Sequence, residues 1–159
     1  MVVLHDFAVW LAHSPLNHAV TARGWIVPEL QIVHIVAISA VVIAAMLINL
    51  RALGLIETDR SLQMVVQAWY PVMVIAVMVL ALTGALLIVS EPGRALFRTV
   101  FWVKLGLIAV ALVITAAHGR SHRAGVSRAV ALASLLTWIA VIWAGRWIAY
   151  AEGWPGALS

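Results

Sequence analysis

Residues 61–90 carry no charged side chain, and an apolar segment of that length leaves a chain few ways to fold. A bilayer-spanning helix needs roughly 20 such residues to cross about 30 Å of hydrocarbon, with its backbone N–H and C=O groups satisfied inside the segment. Uncharged runs at 105–119 and 129–145, and another between Glu29 and Arg51, repeat the pattern. The sequence therefore predicts an all-α fold, a four-transmembrane-helix antiparallel bundle with spans near 27–51, 66–90, 97–118 and 127–150. The connections "ALGLIETDRSLQM", "SEPGRA" and "GRSHRAGVS" are short enough to make sequence neighbours antiparallel neighbours in space.

Composition narrows the function classes. The chain is 65% hydrophobic and 10% charged, against about 45–50% and about 25% for soluble domains. A formal charge of +4 would suit nucleic acid, but the basic residues are scattered at the ends of apolar runs and read as topology signals. No cysteine is present, which excludes disulfides, thiolate metal sites, c-type haem attachment and iron–sulfur clusters. Any metal or haem must be held by His, Met or carboxylate, and which metal is left open.

Residues 1–25 form a separate arm ahead of the bundle at 26–159. The segment "VVLHDFAVWLA" is too short to span and is interrupted by His5 and Asp6, so an interfacial helix is expected. Ser14 offers an N-cap with Pro15 at the first helical position, and Gly24 offers a stop. A basic n-region and small-residue cleavage site are absent, so the arm is not read as a cleaved signal. Arg51, Arg60, Arg120, Arg123 and Arg128 fall in the connections after the first and third spans, which places those loops in the cytoplasm and both termini outside. Trp10, Trp25, Trp102, Trp147 and Trp154 fall on the outer side, as an aromatic belt.

His34 lies about 10 Å below the outer end of the first span, counting about 1.5 Å per residue. Thr83 and Gly84 in the second span, Lys104 in the third, and Trp143 and Arg146 in the fourth fall near the same level. A lysine at that depth costs roughly 2.5–3.5 kcal/mol unaided, so Lys104 either snorkels or meets a partner, and the same choice faces Arg146. His34 needs a hydrogen-bond partner, and Gln31 is the local candidate for a structural His–Gln pair. The alternative is a ligand pocket facing the outer leaflet, built from His34, Gln31, Thr83, Gly84, Lys104, Trp143 and Arg146. Haem b or a quinone would suit its chemistry, with His13 or His18 of the arm as a second nitrogen ligand. His118 ends the third span roughly 20 Å away by rise per residue, so it does not share an iron with His34. With Asn49, Arg51 and His122 it would form a cytoplasmic-side polar cluster.

The segments "PELQIVH", "INLRALGL", "ALTGALL" and "FWVKLGL … AAHGR", in this order, resemble a family of short, uncharacterised bacterial four-helix integral membrane proteins. The matching positions are Pro28, His34, Leu50, Arg51, Gly54, Thr83, Gly84, Lys104 and His118, within residues 25–120. Gln31 and Asn49 stand where the family pattern has acids, which removes negative charge from both sites. The resemblance implies the four-helix fold and a bacterial inner membrane, and it carries no activity. The architecture is also loosely similar to small b-type cytochromes and copper-resistance membrane proteins.

Three function classes follow: an electron-transfer or cofactor-binding bundle, an accessory subunit packed against a larger membrane complex, and a transporter-like or metal-handling protein. Met46, Met64, Met73 and Met78 make no regular thioether ladder, which argues against soft-metal transport. Hydrolysis lacks an acid in any span core and a nucleophile beside a histidine, so no catalytic residue is assigned and a non-enzymatic role is favoured. Ala37, Ser39, Ala40, Ala44 and Ala45, with "ALASLLTW" in the last span, permit close helix contact inside the bundle, in a homo-oligomer or with a partner.

Overall fold

A computed structural model describes residues 2–120 and 128–147, with side chains described apart from those of 2, 94, 116–120 and 146–147. These residues form helices α1 (Val2–Ala12), α2 (Pro15–Thr21), α3 (Ile26–Ala52), α4 (Leu62–Ser90), α5 (Pro92–Leu96), α6 (Thr99–Arg120) and α7 (Arg128–Trp147), and no strand occurs among them.

Local chemistry sets the boundaries. Ser14 is extended and its Oγ accepts from the Asn17 backbone N–H at 3.1 Å, with Pro15 opening α2, as the sequence predicts. Ser61 does the same for α4, accepting from Met64 N–H at 3.3 Å. That cap starts α4 at Leu62, four residues ahead of the start expected near 66. At the end of α3, Gly54 takes φ +76°. The Leu55 N–H then reaches the Leu50 carbonyl and the Gly54 N–H the Arg51 carbonyl, both at 3.0 Å. These are the paired bonds of a Schellman stop, which needs the left-handed residue that glycine supplies. Between α4 and α6 the expected simple loop contains the short α5, with Pro92 in its first turn, and α6 starts at Thr99.

The four long helices share one core. Val41, Ala44 and Ala45 of α3, Met73 and Ala76 of α4, Ala111 of α6, and Trp138 and Val141 of α7 form a single buried cluster. α3 packs against both α4 and α7, and α6 packs against α7. Early His34 on α3 meets late Thr83 on α4, and late Asn49 on α3 meets Ser134, early on α7. These pairs make the neighbours antiparallel. The interface of α3 is lined by Ala37, Val41, Ala44, Ala45 and Ile48, at helical spacing. Small residues there let backbones approach closely. Ser39, expected on the same small face, is exposed and bonds its own helix at Ile35 O.

The exterior is apolar. Ile35 and Val36 on α3, Ile75 and Leu82 on α4, Val113 on α6 and Leu136 on α7 are all exposed, and only 17% of the most apolar window of α4 is buried within the protein. Among the described residues, Ile26–Ala52, Leu62–Ser90 and Arg128–Gly145 are long and apolar enough to cross a membrane, while the apolar stretch of α6, Thr99–Thr115, is shorter. Helices that are apolar all round suit lipid rather than water.

α1 and α2 fold against one end of the bundle, α1 beside α5 and α2 beside α4 and α3. Asn17 fixes the second contact: its buried Nδ2 donates to Val89 O at 2.7 Å and to Ser90 O at 3.3 Å. Those are carbonyls at the C-terminus of α4, which the helix itself leaves without donors.

Candidate functional site

The site is built around His34, half-buried on the third turn of α3. Its Nδ1 lies 2.8 Å from Thr83 Oγ1 on α4. The Thr83 hydroxyl also donates to the Val79 carbonyl one turn back at 2.8 Å, with Leu80 O at 3.3 Å. A hydroxyl has a single proton. With that proton directed to Val79, Oγ1 is the acceptor toward the ring, and the proton of the His34–Thr83 bond is the one on Nδ1. The neutral imidazole then presents Nε2 as a bare lone pair.

Gly84 makes this approach feasible. A Cβ at position 84 would stand 3.3 Å from His34 Cε1 and 3.9 Å from Nδ1, so the ring occupies the space a side chain would need. Lys104 enters from α6 and is also half-buried. Its Cε and Nζ would each lie 3.7 Å from a Cβ at Gly145 on α7, so the end of the side chain rests across that glycine. Its charge is within electrostatic reach of the His34 ring. All four long helices thus contribute to one level, two of them through glycines.

Neither polar head is saturated. Among the described residues, no carboxylate or carbonyl pairs with Lys104 Nζ, and His34 Nε2 has no hydrogen-bond partner. Among the described residues, the fully enclosed side-chain polar atoms without a partner are Asn49 Oδ1 and Glu57 Oε2. His34 Nε2 and Lys104 Nζ are not among these, so both keep some accessible surface.

Other expected members of the layer lie elsewhere. Gln31 is exposed, and Thr83 on the neighbouring helix takes the place of the local His–Gln pair. The ring turns toward α4 because Gly84 leaves room there. Trp143 is 55% exposed. The buried stripe of α7 runs through Ala131, Ser134, Trp138, Val141 and Ala144, and Trp143 sits about 200° from Val141 at about 100° per residue, on the outer face. The fold carries Arg146 near the end of α7 and His118 near the end of α6. The side chains of those two, and His122 and Trp154 entirely, fall outside the described residues. His13 and His18 are exposed on the arm, and the His13 ring bonds Val9 O of its own helix at 2.8 Å.

Of the second expected cluster, the two members whose side chains are described, Asn49 and Arg51, are divided. Asn49 is 1% exposed and its Nδ2 donates to Ser134 Oγ on α7 at 3.0 Å. Arg51 turns the other way, and its guanidinium donates to the Arg60 carbonyl through Nε at 2.7 Å and also through Nη2. Two residues apart on a helix means about 200° of rotation, so Asn49 and Arg51 cannot face one cluster. A polar seam that sequence reasoning missed takes its place. Thr115 on α6 donates to Ala111 O at 2.7 Å, and Trp138 Nε1 lies 3.5 Å from Thr115 Oγ1. One turn along α7 from Trp138, Ser134 holds Asn49. The sequence signal was slight: Ser134 read as one more small packing residue. Asn17, also missed, had only the Ser14 cap three residues ahead as a cue.

Among the described residues, no group of three or more His, Cys, Asp or Glu side chains is placed to hold a metal ion. No protein-family model, curated protein or solved structure matches the chain.

Proposed function

We propose that this chain is a small bacterial inner-membrane protein of four antiparallel spans, α3, α4, α6 and α7, with both termini outside the cytoplasm. In this reading the His34 level binds a ring-shaped hydrophobic ligand of the quinone type in an electron-transfer setting. The observation that carries it is the pair of polar heads, His34 Nε2 and Lys104 Nζ, without partners among the described residues at one level between apolar helices. A lysine and a histidine at such depth in a membrane span mark a functional site by default. A quinone or its hydroquinone has an oxygen at each end of a flat ring; either form can accept from the ammonium and the hydroquinone hydroxyl can donate to the imidazole, and the glycines at 84 and 145 keep side chains away from both heads. Haem b would also use Nε2, with Thr83 orienting the ring through Nδ1. It is the less favoured ligand because His13 and His18, the candidates for a second axial nitrogen, sit exposed on the arm.

The test is direct. The protein in lipid nanodiscs should bind decylubiquinol saturably at one site per chain, and His34→Ala and Lys104→Met should each abolish that binding. A sharp reduced α-band after dithionite would instead assign haem. If neither ligand is found, an accessory subunit packing its apolar exterior against a larger complex becomes the better account. Topology can be read separately. The native chain has no cysteine, so Asp59→Cys should be shielded from a membrane-impermeant maleimide in spheroplasts and Gly93→Cys should be labelled.

A further inference from the structure

Resting on the quinone-type reading, we infer that the site selects the reduced, hydroxyl-bearing form of its ligand, with Thr83 as the positioning residue that sets this preference. The inference comes from where the protons are. Thr83 Oγ1 lies 2.8 Å from both Val79 O and His34 Nδ1; with its one proton assigned to the backbone carbonyl, Thr83 accepts from Nδ1. Nε2 of the neutral ring is then an acceptor with nothing to accept. A carbonyl oxygen carries no proton and meets this nitrogen lone pair to lone pair. A phenolic hydroxyl of a hydroquinone donates to it. At the other head Lys104 Nζ has protons only to give, which a hydroxyl oxygen and a carbonyl oxygen both accept, so Lys104 does not discriminate. Selection between the two redox forms falls to His34 alone, and through its tautomer to Thr83. The bond at Nδ1 opposes the ring flip that would put Cδ2 in place of Nδ1.

The proposal concerns binding, and no electron or proton leaves the complex in it. The test uses full-length protein in nanodiscs under anaerobic conditions, titrated with decylubiquinol and with decylubiquinone. It is paired with nitrogen-15 spectra of histidine-labelled protein, in which the His34 resonances are identified by their loss in His34→Gln. One neutral hydrogen bond gained is worth about 1 kcal/mol, so the quinol should bind roughly five- to tenfold more tightly than the quinone. The spectra should show His34 protonated at Nδ1 and bare at Nε2. Thr83→Ser keeps the acceptor and should keep both the tautomer and the preference. Thr83→Val removes it and should reduce the preference to near unity while quinone affinity changes little. Equal binding of the two forms by the native protein overturns the inference and leaves the quinone-type site standing. A ring protonated at Nε2 overturns it as well. Absence of saturable binding by either form removes the site and the inference together. Should Thr83→Val fail to fold, the native spectrum and the Thr83→Ser titration still decide.

Discussion

Gly84 faces His34 so closely that a methyl group there would need the ring to give by a few tenths of an ångström, since a Cβ would stand 3.3 Å from Cε1. The ring cannot simply slide away, because its Nδ1 is tethered to Thr83 at 2.8 Å. Gly84→Ala therefore sets two effects against each other. Alanine in a helix interior gains about 0.5–1 kcal/mol over glycine, while overpacking a fixed contact costs about 1–3 kcal/mol. The cost wins, and Gly84→Ala should lower stability by about 1 kcal/mol in detergent unfolding. Gly106 on α6 is the control, because a Cβ there would meet nothing within 4 Å. Gly106→Ala should be neutral or stabilising by up to about 1 kcal/mol. Equal effects at the two positions would show that the ring is not wedged against α4.

Asn49 and Ser134 form the second testable pair. The amide is enclosed, with Nδ2 bonded to Ser134 Oγ and Oδ1 without a partner. Ser134→Ala leaves the whole amide unsatisfied and should cost about 1–3 kcal/mol. Asn49→Leu removes the demand altogether, so Asn49→Leu/Ser134→Ala should be less destabilised than the sum of the single changes. A coupling of at least about 0.5 kcal/mol is expected for groups in contact. Strict additivity in this cycle would mean that the bond contributes nothing.

The level of the site was legible and its wiring was not. Rise per residue alone puts His34, Thr83, Gly84 and Lys104 at similar depth, and the contacts from His34 to Thr83 and Gly84 follow that count. Choosing Thr83 over Gln31 as the partner depended on which way the ring turns, and that is decided by the space at Gly84, a property of two helices together. Trp143 was placed by depth without its azimuth, and a rotation of about 200° from Val141 at about 100° per residue carries it to the outer surface. Asn49 and Arg51, close in depth, are parted by the same rotation of about 200°. Ser61 was different: a serine ahead of a long apolar run is a cap signal, and the chemistry that starts α4 at Leu62 was present in the sequence unread.

At the stop of α3, Gly54 holds φ +76°. Residues with a Cβ strain there by about 1–2 kcal/mol, asparagine less than most and β-branched residues more. The order of thermal stability should therefore be Gly54, then Gly54→Asn, then Gly54→Ala, then Gly54→Val. If Gly54→Val matched the native protein, the Schellman bonds from Gly54 and Leu55 would not be what ends the helix.

The arm offers the sharpest chemical contrast. Asn17 Nδ2 gives its protons to Val89 O and Ser90 O, and the side chain is buried, so the contact depends on a donor rather than on shape. Asn17→Ala removes the donor and should cost about 1–2 kcal/mol, the loss of a buried bond together with the stranding of carbonyls that no backbone group serves. Asn17→Asp keeps the shape and reverses the chemistry, because an ionised carboxylate only accepts and would face two carbonyl oxygens. It must expel the arm or bury an unpaired charge, so Asp should be worse than Ala despite being the closer isostere. Hydrogen exchange across residues 2–21 is the direct measurement, with protection falling in Asn17→Ala and falling further in Asn17→Asp. Native-like protection in Asn17→Asp would show that the arm is held by the apolar contacts of α1 and α2 alone, with Asn17 a bystander in its cap.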